Sequence, residues 1–182
     1  MSLRKFPICF MLVFGCSILC QGQSDTTSLI KEIRQAFQRV NSDSSLHRVK
    51  LEAEEFLKEQ PDGGGELVGY FKGDTLCKMV VSIGLSYGMT GADYYFDHGK
   101  IVFIYDTEKD FVTDEKTQSL DPSKIRLGFE GRYYFHKGMV IEKKLKGKKR
   151  FDVDINAKYI NDLLADIASY TELMQTKIKQ KR

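Results

Sequence analysis

A chain of 182 residues with 28 Lys and Arg against 25 Asp and Glu, and a net charge of +3, is long enough to bury a hydrophobic core in one domain. So small an excess of cations excludes the strongly basic character of nucleic-acid binding proteins. Three of the four cysteines, Cys9, Cys16 and Cys20, fall near the start, which leaves Cys77 without an internal disulfide partner.

Arg4 and Lys5 precede an uncharged, largely apolar run over residues 6–20, followed by small and polar residues, the pattern of a signal peptide covering 1–22. The run of roughly 15 residues is shorter than the ~20 a spanning helix needs, so no transmembrane span is expected in the mature chain. Two processing routes fit. Cleavage after Gly22 places small residues at Gly22 and Cys20, whereas Val13-Phe14-Gly15-Cys16 is similar to a lipoprotein box in which Cys16 carries the lipid. Either way an exported protein is expected, periplasmic or secreted, or lipid-anchored to the outer membrane; membrane contact follows only from lipidation. Removal of 1–22 takes away two cations and no acid and leaves a net charge of about +1.

Residues 23–182 are expected to form a single α+β domain, helical over 23–60, a β-meander over 66–155 and a C-terminal helix over 156–182. Leu29, Ile30, Ile33, Ala36, Phe37 and Val40 recur at steps of three and four, predicting a helix over 25–40. Asp25, Thr26, Thr27 and Ser28 are N-cap candidates, and Asn41-Ser42-Asp43-Ser44 supplies a stop. Leu46, Val49, Ala53, Phe56 and Leu57 predict a second helix over 46–60 before Pro61, although Val49, Leu51 and Ala53 also alternate as a strand would. Pro61-Asp62-Gly63-Gly64-Gly65 then breaks the chain.

From residue 66 the periodicity becomes two, most clearly in Leu127, Phe129, Gly131, Tyr133 and Phe135. A Tyr-Phe pair leads into a glycine-containing turn three times: Tyr70-Phe71 before Gly73, Tyr95-Phe96 before Gly99, and Tyr134-Phe135 before Gly138. Glycine there supplies the positive φ that tight hairpins require. A fourth turn at Lys146-Gly147-Lys148-Lys149 leads into Phe151, Val153 and Ile155, which alternate again. The expectation is an antiparallel meander of about seven or eight strands. Residues 113–122 are polar and turn-rich and are expected as a surface excursion. After Asn156, an N-cap candidate, residues Tyr159, Ile160, Leu163, Leu164, Ile167, Tyr170, Met174 and Ile178 line one face of a long helix.

Ile101-Val102-Phe103-Ile104-Tyr105 is apolar on both sides, so the sheet needs cover on both faces. Tyrosine rather than phenylalanine at Tyr70, Tyr95 and Tyr134 places hydroxyls near water, either as the rim of the core or as a contact surface. The helix ending Arg39-Val40-Asn41, the strand Gly-Gly-Glu-Leu-Val-Gly-Tyr-Phe ending at Phe71, and the Tyr-Tyr-Phe-x-x-Gly-Lys-Ile hairpin from Tyr94 resemble a group of uncharacterised exported proteins of Gram-negative bacteria; more loosely, the hairpins are similar to MORN-type repeats. The resemblance implies location and fold. It carries no activity to transfer.

Gly84-Leu85-Ser86-Tyr87-Gly88 spells the G-x-S-x-G of a nucleophile elbow, but a strand rather than a helix is expected after it. No lysine and serine or threonine follow Gly63-Gly64-Gly65 to hold a nucleotide. His47, His98 and His136 lack metal-ligand spacing, and no cofactor or metal is expected. Lys143, Lys144, Lys146, Lys148, Lys149 and Arg150 form a basic hairpin suited either to anionic contact or to edge protection. These features favour a non-catalytic binding or scaffolding module of the cell envelope, its partner an envelope protein or polymer and its contact surface the aromatic face with Tyr70, Tyr95 and Tyr134. The alternatives are a small envelope hydrolase using Ser86, and electrostatic adhesion to acidic envelope polymers through residues 143–150.

Overall fold

A computed structural model describes residues 19–180. Helix α1 (Leu19–Ser42) leads to strand β1 (His47–Glu52) and a single helical turn, α2 (Ala53–Phe56). Six strands follow: β2 (Gly65–Lys72), β3 (Thr75–Leu85), β4 (Gly88–Asp97), β5 (Lys100–Thr113), β6 (Leu120–His136) and β7 (Met139–Gly147). A short 3₁₀ turn (Arg150–Asp152) joins them to helix α3 (Ala157–Gln180). The seven strands pair antiparallel in chain order in one sheet, the expected meander with helices at both ends.

The repeated Tyr-Phe pair is a repeated bulged hairpin. At His98-Gly99 and Lys137-Gly138 both turn residues have positive φ, 48° and 74° in the first and 51° and 79° in the second, matching the turn twist to that of the strands. Pairing slips by one residue between Tyr70 and Phe71, between Tyr95 and Phe96, and between Tyr134 and Phe135. Each slip inserts one residue in the outgoing strand, Cys77, Val102 or Ile141, and so changes which face the rest of that strand presents.

The bulges align one continuous row across the sheet: Arg48, Tyr70, Lys78, Tyr95, Phe103, Tyr134 and Glu142 are successive cross-strand partners. On the opposite face Val49, Gly69, Met79, Tyr94, Ile104, Tyr133 and Lys143 do the same. Such aromatic neighbours contribute about 0.2–1 kcal/mol per pair.

The terminal helices take one face each. Helix α3 crosses the second row, burying Ile167, Met174 and Ile178 against Tyr94, Ile104, Tyr133 and Phe135. Helix α1 covers the first row, where Phe37 lies 4.7 Å from the Tyr95 ring and 5.7 Å from Phe103. Ile33 completes that smaller core with Tyr95, Phe103 and Tyr134. Two-sided cover is thereby met within the chain.

Local chemistry departs from the sequence expectations at three places. Helix α1 continues through Asp25 to Ser28, so those residues are not its cap; it does stop at Ser42, where the Asn41 side chain donates to the Phe37 carbonyl. The helix expected over 46–60 is instead β1 plus one turn, because Val49 and Leu51 pair with Gly69 and Leu67 of β2 and are both buried. Residues 113–122 do lie at the surface as expected, at the tip of the β5–β6 hairpin, pinned by Thr113 pairing with Leu120. Phe151, Val153 and Ile155 form no strand: Phe151 and Asp152 sit at φ 59° and 50° and turn the chain across the sheet. Asn156 caps α3 as expected, accepting from the Tyr159 amide at 3.1 Å.

Candidate binding surface

The six cations of the basic segment divide into two environments. Lys143, Lys144, Lys146 and Lys148 are exposed, whereas Lys149 is buried and Arg150 half-buried. The inward pair meets three carboxylates, Asp106, Glu108 and Asp110, which alternate along β5 and therefore share a face. Lys149 Nζ lies 3.0 Å from Glu108 and 3.3 Å from Asp106. Its stem and charge sit between the rings of Phe129, at 4.7 Å, and Tyr159, at 5.1 Å. Arg150 donates from Nε to Asp110 at 2.8 Å, and its backbone amide donates to Glu108 at 2.7 Å. Its guanidinium also donates to the Lys109 carbonyl, which explains why the chain turns here.

Burial pushes the Asp106 carboxyl above the usual carboxylate range, opposed by the Lys149 charge and by the Tyr159 hydroxyl donating at 2.6 Å. Burial, and then the Asp106 charge, push the hydroxyls of Tyr159 and Tyr133 up, so both stay protonated at any physiological pH. The Tyr133 hydroxyl is buried beside Asp106, with no well-formed hydrogen bond to any group among the described residues. The cluster is internal and its charges are committed to one another. The alternating Asp-x-Glu-x-Asp of β5 was its sequence signal, since period two on a strand places three acids on one side.

The aromatic row holds the other singled-out residues. Tyr95 and Tyr134 are 2 % and 5 % exposed beneath α1, and only Tyr70 presents surface, between the Arg48 and Lys78 side chains. The Tyr95 hydroxyl lies within donating reach of Asn41 at 3.2 Å and Asp93 at 3.3 Å, where Lys78 also binds Asp93 at 2.8 Å. Burial raises the Tyr95 hydroxyl against the lowering effect of Lys78. Ser86 lies at a hairpin tip whose strands close through Leu85 and Gly88, a strand-turn-strand and not the strand-to-helix elbow. His98 is exposed in a turn, and no group of His, Cys, Asp or Glu among the described residues could hold a metal ion. Cys16 lies outside the described residues. No helix among those residues is long and apolar enough to cross a membrane.

The sheet has two edges, β1 and β7, and β7 is the more basic one. It pairs with β6 alone, and among the described residues no other element reaches its backbone with a main-chain hydrogen bond. Beside it runs a groove of about 560 Å³ between β7 and the first turns of α3, floored by Val140, Ile160 and Leu164 and open at Met139, which is 67 % exposed. Lys143 stands on the groove side, its ammonium donating to the Ile155 carbonyl at 2.9 Å. Lys144 and Lys146 project from the opposite face, in register with Arg132 and Glu130. No protein-family model, curated protein or solved structure matches this chain, so its own residues carry the functional reading.

Proposed function

We propose that this chain is a non-catalytic binding module of the bacterial cell envelope and that its contact surface is the basic open strand β7, which takes an anionic envelope partner. The observation that carries the reading is the division of the basic segment. Lys149 and Arg150 are neutralised inside, while Lys144, 3.3 Å from Glu142, and Lys146 stand exposed on the free edge and Lys148 just past its end. The outer three guard the edge against self-pairing, and a cluster of like charges also draws acidic partners toward it. Export rests on Arg4, Lys5 and the apolar run that follows them. Tyr95 and Tyr134 support the surface from beneath as core, and Tyr70 is the one of the three tyrosines left for direct contact.

Cosedimentation of the purified protein with isolated envelopes, across a salt series, tests this. Retention is expected to fall steeply as salt rises, since exposed charges are screened within about 10 Å at 0.1 M. The Lys144→Glu, Lys146→Glu, Lys148→Glu variant is expected to lose it. Equal retention of variant and wild type at every salt concentration overturns the proposal.

A further inference from the structure

We infer that the partner's bound element is an extended polypeptide segment of alternating acidic and apolar residues, which adds to the edge of β7 as an eighth strand. The inference rests on β7 being the contact surface and names what occupies it. Three observations lead to it.

First, an open edge strand displays a row of unpaired amides and carbonyls, and an extended chain is the ligand that satisfies them. Strand β7 runs Met139–Gly147, long enough to template a full strand, and its other side is already paired with β6. Second, the two sides of this edge differ. A strand added there points alternate side chains to opposite faces. Those on the α3 side enter the groove against Val140, Ile160 and Leu164, where apolar side chains fit. Those on the other side lie across from Glu142, Lys144 and Lys146, and carboxylates fit beside the two lysines. The alternation of the ligand follows from the alternation of the site. Third, charge decides against a second copy as occupant. Each β7 edge carries Lys143, Lys144 and Lys146 against Glu142 alone, so two such edges repel on balance, which is how natural edges resist self-pairing; an acidic strand meets net attraction at the same positions.

The probe is a blocked seven-residue peptide alternating Glu and Val, titrated into the full chain labelled with ¹⁵N, beside the same peptide N-methylated on alternate residues and beside polyglutamate of matched charge. The expected result is binding of the unmethylated peptide with shifts and slowed exchange of the amides in 139–147. N-methylation, which removes ladder donors while keeping charge and side chains, is expected to weaken binding about tenfold or more. Met139→Ser, a neutral change at an exposed position beside the groove, is expected to weaken the peptide and leave polyglutamate unaffected. Equal affinity of the methylated peptide, or binding of polyglutamate but not of the peptide, overturns strand addition while the envelope-binding proposal stands on its sedimentation result. Amide shifts confined to other strands, or protection of 139–147 through self-association without peptide, overturn it equally.

Discussion

Replacing Lys149 by methionine tests whether the internal cluster holds the C-terminal third of the chain in place. The substitution keeps an unbranched apolar stem and removes the ammonium, with its ion pairs and its contacts over the Phe129 and Tyr159 rings. At 3.0 and 3.3 Å, with an effective dielectric of about 20, each attraction is worth about 5 kcal/mol before the cost of drying three ionised groups is counted. Because the side chains of Lys149 and Asp106 are only 6 % and 5 % exposed, the orphaned carboxylates cannot be rehydrated in place. Losing one partner of such a buried pair costs about 3–5 kcal/mol. Urea unfolding followed by far-UV circular dichroism should therefore show a midpoint lower by on the order of 2 M, with the slope unchanged. The deficit also has a pH signature. Asp106 already has a raised folded-state pKa, and a carboxyl of that kind is most costly when ionised, so its burden is present at high pH and relieved as pH falls through the folded value. Without Lys149 that value rises further, and the gap between variant and wild type should be smaller at pH 5 than at pH 7.5. Adding Asp106→Asn and Glu108→Gln should restore most of the loss, since the charges left behind are what the single variant suffers from. A deficit under 1 kcal/mol at pH 7.5, or one identical at both pH values, would refute the reasoning.

Two further outcomes follow from packing and from titration. Gly69 lies under α3, where an added Cβ would meet the Phe71 ring at 2.7 Å and Met174 Sδ at 2.9 Å; Gly69→Ala should cost about 1–3 kcal/mol in chemical denaturation by overpacking that contact. The hydroxyl of Ser45 and then the ammonium of Lys72 hold the Asp43 carboxyl down, at about 2 against an ordinary 3.8, so its contribution is present above the ordinary value and is lost as pH falls through about 2. The melting-temperature difference between wild type and Asp43→Asn should stay constant above about pH 5 and shrink steadily as pH falls from about 4 to 2; a difference as large at pH 2 as at pH 5 contradicts the assignment.

The hairpins and α3 were legible because their signals are local. A glycine two or three residues past a Tyr-Phe pair, or an asparagine ahead of a three-and-four periodicity, acts through its own backbone. The β1 segment was not, because Val49, Ala53 and Phe56 satisfy a helical spacing while Val49 and Leu51 satisfy a strand, and the choice is made by β2, which lies beyond the Gly-rich break. The alternation of Phe151, Val153 and Ile155 misleads for the opposite reason. The pattern is real, but the ion pairs of Lys149 and Arg150 pull the chain across the sheet before a strand can form, leaving Phe151 83 % exposed at a positive φ. The joining of Tyr70, Tyr95 and Tyr134 into one row depends on three single-residue bulges, which alternation counts cannot register.

The division of one basic run between inside and outside links the fold to its surface. Because Lys149 and Arg150 reach back more than 35 residues in sequence to the acids of β5, the chain leaves β7 by crossing the α3 face instead of adding another hairpin. That crossing is what leaves β7 as the last strand. Had Phe151, Val153 and Ile155 continued the meander, they would have paired with β7 and closed its edge, and the groove beside Val140 would have been filled by the chain itself. The buried acids of β5 thus determine, from across the sheet, that the lysines of β7 border a free strand, and a variant lacking them should alter ligand access at β7 without changing any residue there.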